Sequence, residues 1–388
     1  MKNNLQKKIQ VILSKMFEFK TLNLHEPKFC GNEIKYLTKC INTTQVSSAG
    51  PFSVKFERML KKFTKSKYVV TVINGTSAIH ISLIVSGLKK DDEVLIPTLN
   101  YVASSNSVLY CGAKPHFIDC SKNNLGIDIA KLQKYLNKNT KIKKNLCFNK
   151  KTGKRIHSII PTHVFGHIEN IDLLVKLANK FKLKVIEDAS ECIGSFYKKK
   201  HAGTFGDLGV LSFNGNKTLT TGGGGAILTN NYSLANQCRH LTTIAKKKHT
   251  WSYDYDQLGY NYKMPSINAA LGCAQLENIT LFLKFKRNLF KLYSSKFDKI
   301  DEVYLYKEPT NCLSNYWLQT LVLKKPSLKK RDEILKYLNS KNIKVRPIWK
   351  LMHKINYLKK FQSMNLDNAK EMEKKIINIP SGLNLFKN

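Results

Sequence analysis

Arginine, acid and paired cysteine are all scarce in this chain. Six of its 65 basic residues are arginine, and Asp and Glu together number 27, which leaves a formal net charge of +38. Nucleic-acid sites favour arginine interleaved with aromatics in one patch or stripe. Here lysine is spread over the whole length amid abundant Asn and Ile, which reads as a solvated surface; no nucleic-acid partner is expected. The positive field would still steer anionic substrates. The nine cysteines are an odd number and include no C-x-x-C. That argues against a disulfide framework or zinc ribbon, and it fits a reducing, cytoplasmic setting with no metal site. No apolar run approaches the length of a membrane span, so no membrane partner is expected. The basic N-terminal stretch lacks a continuous apolar core and a small-residue cleavage site, and is not read as a signal peptide. Internal repeats are absent.

At 388 residues the chain can bury a large core and form two domains. Residues 1–50 read as an amphipathic helix, with Leu5, Ile9, Ile12 and Met16 near helical spacing, followed by an extended lead-in. From Phe52 short apolar strands alternate with helices: strands at Val69–Ile73, Glu93–Ile96, Ile156–Pro161, Lys184–Glu187 and Gly209–Phe213. This pattern implies an α/β fold with a mostly parallel central sheet covered by helices. A lysine-rich insertion at 138–156 is expected to form a surface loop or hairpin. After Asn261-Tyr262-Lys263-Met264-Pro265 the pattern changes, so a large domain is assigned to 51–265 and a smaller α+β domain to 266–388.

The chemistry-bearing stretch lies between Asp188 and the glycine run Gly222–Gly225. An acid ends one buried strand, Ser212 lies in the next, and Lys217 follows in a polar turn. Pyridoxal phosphate needs an amine to form a Schiff base and a carboxylate to keep its ring nitrogen protonated, and Lys217 and Asp188 supply both. Either residue alone has an ordinary explanation; the combination is what points to this chemistry. Gly75-Thr76-Ser77 opens a helix after a strand, where free N–H groups and hydroxyls suit a phosphate, although Thr76 as a simple N-cap is the alternative. Tyr101 follows a strand end and can stack on a ring or belong to core or surface. Glu191 can reach a ring hydroxyl or be an exposed helix-start acid. Ser212 can bind phosphate or be a strand-end hydroxyl. The four glycines allow close backbone approach, or flexibility alone.

From about Leu24 to Pro380 the chain resembles the DegT/DnrJ/StrS family of sugar aminotransferases, fold-type-I pyridoxal phosphate enzymes acting on nucleotide-linked keto-sugars. The matching segments, in order, are NGTSAIH, PTLNYVASSNSV, VIEDASECIGS, SFNGNKTLTTGGGGAI, GYNYKMPSINAALG, RPIWKLMH and NIPSG. The resemblance implies Lys217 as the Schiff-base lysine and Asp188 as partner of the ring nitrogen. It implies Tyr101 as the stacking aromatic, Glu191 near the ring hydroxyl, and Thr76, Ser77 and Ser212 as phosphate contacts. Asn261 corresponds to a phosphate contact supplied by a neighbouring subunit, which implies a homodimer with shared active sites. Glu191 stands where the family usually has Gln, and Gly223 where many relatives have Glu. Lys217 argues against the dehydratase branch, which has His there.

LHEPKFCGNE, QVSSAGPF, CFNKKTGKRI, HVFGHIENID and SFNGNKTLTTGGGG together resemble the aminotransferases of legionaminic-acid-type pathways, which act at C4 of a nucleotide-linked 2-acetamido-2,6-dideoxy-4-hexulose. L-glutamate is the implied amino donor, and ping-pong kinetics are expected. Lys246, Lys247, His249 and Trp251, with Arg346 and Trp349, are candidates for the diphosphate or sugar; ordinary surface roles are the alternative. Rival readings are another 3- or 4-keto sugar substrate, a regulatory protein of the same fold, or a basic nucleic-acid binder.

Overall fold

The structure, a computed structural model, describes residues 4–17, 20–122, 125–168 and 170–385. Lys2, Asn3, Glu18 and Phe19 of the expected N-terminal stretch, and Glu169 of the HVFGHIENID segment, lie outside the described residues.

The helices are α1 (Leu5–Met16), α2 (Glu33–Asn42), α3 (Pro51–Thr64), α4 (Gly75–Val85), α5 (Ala103–Tyr110), α6 (Ile129–Asn139), α7 (Ile171–Lys180), α8 (Tyr232–Thr242), α9 (Ser266–Glu277), α10 (Ile279–Phe297), α11 (Leu328–Ser340) and α12 (Asp367–Glu373). The strands are β1 (Tyr68–Val72), β2 (Glu93–Pro97), β3 (Lys114–Ile118), β4 (Thr140–Lys143), β5 (Leu146–Asn149), β6 (Arg155–Ile159), β7 (Lys184–Asp188), β8 (Phe196–Tyr197), β9 (Lys200–His201), β10 (Leu208–Ser212), β11 (Gly225–Thr229), β12 (Val303–Leu305), β13 (Cys312–Leu313), β14 (Gln319–Leu323), β15 (Arg346–Pro347) and β16 (Ile376–Ile379).

Runs such as VLI in β2 and VLS in β10 are buried along their whole length, as strands covered on both faces must be. They join in the order β1-β11-β10-β7-β6-β2-β3. Neighbours from β10 through β7, β6 and β2 to β3 are parallel, whereas β11 runs antiparallel to both β1 and β10. Because only β11 is reversed along this path, β1 points the same way as β10. The C-terminal ends of β1, β10, β7, β6 and β2 therefore share one edge, where open α/β sheets form their binding crevice. The insertion folds as the hairpin β4–β5, and β5 adds antiparallel to β6.

The segment AALGCA on α9 explains how tightly this helix meets its neighbours. Ala269, Ala270, Cys273 and Ala274 are fully buried, and a Cβ on Gly272 would sit 2.7 Å from Phe56 Cζ of α3. A larger residue there would have to displace the Phe56 ring and the Thr221 methyl, the latter at 2.8 Å, at a cost of about 1–3 kcal/mol.

A second sheet, β12-β14-β16-β15, carries its own core with α1, α11 and the later half of α10. On α1 the buried residues are Leu5, Ile9 and Leu13, while Ile12 and Met16 of the expected stripe are only partly buried. The stripe turns by one position because Leu13, not Ile12, faces the sheet. Helix α10 belongs to both cores: Ile279 and Phe282 pack with the large sheet, Leu289, Tyr293 and Phe297 with the small one. No helix among the described residues is long and apolar enough to cross a membrane.

Candidate active site

Five strand ends and two loops from the small sheet converge on a cleft of ≈ 420 Å³. Its wall includes Thr76, Tyr101, Asp188, Glu191, Ser212, Lys217, Arg346 and Trp349, residues spread over most of the sequence.

Asp188 ends β7 and is buried. Ser104 Oγ of α5 donates to its Oδ2 at 2.8 Å, and the Ser190 N–H donates to Oδ1 at 3.2 Å. The chain then turns rather than entering a helix, and this carries Glu191 inward; it is buried, not an exposed helix-start acid. Glu191 Oε2 accepts the Phe165 N–H at 2.8 Å, and Oε1 lies 3.3 Å from Lys217 Nζ. Burial pushes the Glu191 carboxyl above its ordinary range, against the opposing pull of the Lys217 charge.

Lys217 sits in a turn closed by its own N–H to Asn214 O, at 3.0 Å. Its Nζ lies 3.8 Å from the centre of the Trp317 ring, a cation–π contact. Trp317 is fixed on several sides. Its Nε1 donates to Asn216 O at 2.7 Å, its N–H to Asn315 Oδ1 at 2.9 Å, and its carbonyl accepts from the buried Lys286 Nζ at 2.8 Å. Asn315 Nδ2 in turn donates to Glu191 O and Ile193 O, at 2.8 and 2.9 Å. The floor beneath Lys217 and the loop bearing Glu191 are thus held by one asparagine.

Phe165 adopts a left-handed backbone, φ 55°, unusual for a bulky residue. That turn aims its N–H at Glu191 and sets its ring 5.2 Å from Trp349 and 6.2 Å from Trp317. Local strain of this kind persists only where the surroundings enforce it. Tyr101 is 56% exposed at the cleft mouth, its ring 6.3 Å from Trp349.

Opposite lies the start of α4. Its N-cap is Asn74, whose Oδ1 accepts the Ser77 N–H at 2.8 Å, so Thr76 is not the cap. The N–H groups of Gly75 and Thr76 precede that bonded turn, and helix starts of this kind attract anions. Gly75 is favoured by proximity: a Cβ there would lie 3.0 Å from Ser212 Cβ and 3.3 Å from Ser190 Oγ, so these side chains would have to give way slightly.

Two further buried polar atoms in the wall, Asn100 Nδ2 and Thr162 Oγ1, have no hydrogen-bond partner among the described residues. With the lysine, the acid and the helix start, they make a cleft that fits a flat, hydrogen-bonding, phosphorylated group such as pyridoxal phosphate. Among the described residues no three His, Cys, Asp or Glu side chains converge as metal ligands.

Not every expected residue lines this cleft. Ser77 spends its N–H on the cap. Asn261 is exposed and pairs with Thr243 through the backbone. Lys246 and Lys247 border a separate groove beside Arg239. Lys246 Nζ lies 3.7 Å from the Tyr253 ring centre and Lys247 pairs with Asp254 at 2.9 Å. His249 and Trp251 pack edge to face, 5.0 Å apart, with Trp251 81% exposed. Asn74 stands in the sequence at the helix opening, although the sequence reading considers Thr76 for the cap; Ser104, Phe165, Ser190 and Trp317 carry no comparable signal and have no role in that reading.

A mostly parallel α/β sheet whose shared edge carries a strand-end acid, a half-buried lysine and an anion-receptive helix start defines a pyridoxal phosphate-dependent aminotransferase. The chain belongs to the DegT/DnrJ/EryC1/StrS aminotransferase family, whose model matches residues 28–388. Pyridoxal phosphate dependence comes with that family. GDP-perosamine synthase of Escherichia coli O157:H7 is 33% identical over 363 residues, 93% of each chain. UDP-4-amino-4,6-dideoxy-N-acetyl-beta-L-altrosamine transaminase of Campylobacter jejuni is 29% identical over 351 residues, 90% of this chain and 89% of the other. Among solved structures, the PLP form of Spr1654 from Streptococcus pneumoniae superimposes with a TM-score of 0.84. It is 20% identical, over 95% of each chain, which speaks for the fold.

Proposed function

We propose that the chain moves an amino group from L-glutamate to the C4 ketone of a nucleotide-linked 2-acetamido-2,6-dideoxy-4-hexulose, for amino-sugar or surface-glycan synthesis of the legionaminic-acid type. The observation that carries the reading is the convergence of Lys217, Glu191 and Asp188 in one cleft. Names of relatives support a nucleotide-linked sugar: one carries GDP, another carries UDP with a 4-amino, N-acetylated dideoxy sugar.

Pyridoxal phosphate, when bound, supplies an electron sink and an amine carrier. Lys217 would hold it through its amine, and Asp188, braced by Ser104, would face the ring nitrogen. The start of α4 with Ser190 and Ser212 would receive the phosphate, Tyr101 would cover the ring, and Glu191 would meet the ring hydroxyl. Lys217, through Nζ, would take the proton from the donor's Cα in the first half-reaction and would deliver a proton to C4 of the sugar in the second.

The protein would work as a homodimer. Asn261, and with it Lys246, Lys247, His249 and Trp251, line no part of their own cleft, which suits residues that serve a partner's site. Nine cysteines that form no disulfide among the described residues suit a cytoplasmic enzyme. For the domain layout, the change of packing partners between Phe282 and Leu289 supports a small unit that begins within α10 and includes α1.

The test is incubation with L-glutamate and matched UDP- and GDP-linked 4-keto and 3-keto sugars, with 2-oxoglutarate release followed and the aminated carbon identified by NMR. Amination at C4 of an acetamido sugar is expected. Amination only at C3, or only of sugars without the acetamido group, would replace the substrate assignment; no amination of any would remove it.

A further inference from the structure

Another cavity lies at the opposite edge of the large sheet from the cleft. Glu93 and Lys114, which open β2 and β3, both border it, and its volume is ≈ 570 Å³ against ≈ 420 Å³ for the cleft. Much of its wall is apolar: Leu109 near the end of α5, Ala113, Pro115 of β3, and Phe361. Glu93 is 2% exposed and its carboxylate is already occupied. His116 Nδ1 lies 2.7 Å from Oε2, Asn149 Nδ2 donates at 2.9 Å and Thr152 Oγ1 at 2.5 Å. It therefore offers little to a cation.

The remaining charge is positive. Lys114, Lys154 and Lys360 also line the cavity. Lys114 pairs with Asp91 at 2.9 Å, and Lys154 reaches the same aspartate only at 4.0 Å. Lys360 Nζ lies 5.5 Å from the centre of the Phe361 ring. Two lysines share one carboxylate and the third meets a ring, so a further anion is attracted there. Ligand sites span roughly 300–1,000 Å³ and combine apolar walls with a few polar groups. A nucleotide sugar would set its hydroxyls against Leu109, Pro115 and Phe361 without partners, at a cost, so the cavity does not suit a second substrate molecule.

Three stretches of chain join this cavity to the cleft. Strand β2 runs from Glu93 to the loop bearing Asn100 and Tyr101. Helix α5 runs from Ser104, bonded to Asp188, to Leu109. The loop after β15 starts in the cleft wall at Trp349 and reaches the cavity at Lys360, Phe361 and Gln362. That loop is stitched to the sheet and to α5 on its way. The Met352 N–H donates to Thr98 O at 2.9 Å, Tyr357 Oη to Asn106 Oδ1 at 2.6 Å, and Gln362 O accepts the Phe117 N–H at 2.8 Å. A body seated against Phe361 thus bears on the loop that carries Trp349.

We propose that this cavity is a regulatory site for a small amphipathic anion, an apolar body with one acidic head, and that its occupancy alters the cleft through the loop 349–362.

The holoenzyme is titrated with anilinonaphthalenesulfonate, a fluorescent amphipathic anion, and the probe is then competed with decanoate, 1-naphthoate and UDP. Saturable binding of one probe per chain is expected. Displacement by decanoate points to an acyl acid as the ligand and displacement by naphthoate to an aromatic one; UDP should displace nothing. Lys154→Glu with Lys360→Glu reverses the charge at two exposed positions and should weaken the probe about tenfold. Leu109→Trp fills the cavity and should weaken it as much. Melting temperatures check the fold, and if Leu109→Trp melts low the exposed lysine pair decides. The cofactor readout is pyridoxal phosphate affinity, followed by visible absorption. Saturation with the tighter competitor should change it about threefold or more in wild type and leave it unchanged in the lysine variant, and the cofactor should change the competitor's affinity by the same factor.

No saturable binding, equal binding by wild type and variants, or displacement by UDP would overturn the site. Binding that the variants lose, with cofactor affinity indifferent to it, would overturn the regulatory role. Neither readout uses a sugar, so a failure of the proposed substrate would leave this test standing.

Discussion

Replacing Ser104 by Ala removes one hydroxyl from behind the cleft and leaves the fold's volume almost unchanged. Ser104 is fully buried and donates at 2.8 Å to Asp188 Oδ2, which leaves the Ser190 N–H on the other oxygen. Hydrogen bonds to charged groups contribute roughly 1.5–3 kcal/mol, and a buried acceptor that loses its donor forfeits that full amount. At about 1.4 kcal/mol per power of ten, the loss is roughly 10- to 100-fold in rate or affinity. If Asp188 faces the cofactor, the loss appears in two assays: cofactor retained after gel filtration, read by visible absorption, and kcat/KM, which should fall by similar factors for both substrates. The neighbouring Ser105 hydroxyl is buried with no partner among the described residues, so Ser105→Ala is a matched control expected to leave both unchanged. Ser104→Ala activity within twofold of wild type for both substrates would refute the bracing argument. A lowered Tm with unchanged kcat/KM would make the bond structural only.

Gly166 has φ +99°, and a Cβ there would lie 1.9 Å from Asn315 Oδ1. Gly166→Ala should therefore destabilise by about 1–3 kcal/mol, and it should disturb Glu191 through Asn315, detectable as a lower melting temperature together with lower kcat. Burial holds His167 near a pKa of about 3, and holds His157 and His201 near about 4, each below the ordinary 6.5. Between those values the unfolded chain binds more protons, so stability falls as pH drops below about 6.5, by up to about 1.4 kcal/mol per pH unit for each histidine. Denaturant melts from pH 7 to 4.5 should show that slope, and His167→Phe should reduce it; a flat profile would contradict it. Lys217→Ala should keep the fold, read by circular dichroism, and lose transamination; wild-type-like turnover would sink the assignment.

Much of the site was legible because its parts are marked by local chemistry. A β-branched strand ending in Asp188, a polar turn bearing Lys217 and a helix opened by Asn74-Gly75 each follow from near neighbours in sequence. The parallel sheet followed from strand–helix alternation, but the reversal of β11 did not, since an apolar run such as AIL carries no sign of its direction. Trp317 could not be found this way: it reaches Lys217 only through the small sheet, and nothing in NYW distinguishes it from core. Ser104 is one of several serines in α5, and only the tertiary contact with Asp188 separates it from Ser105. Phe165 was hidden because its function lies in a backbone N–H, freed by a left-handed turn that sequence alone does not announce. Asn261 and the loop at 246–251 line no part of this cleft; the family resemblance and their polar character, not a contact within the chain, make them candidates.

The most direct measurement of the central claim is chemical. The purified protein, supplied with pyridoxal phosphate, is reduced with borohydride, digested and mapped by mass spectrometry. The account predicts a yellow protein that loses its colour on reduction and carries the phosphopyridoxyl label on Lys217. A protein that stays colourless and unlabelled, or one labelled on another lysine, would contradict it.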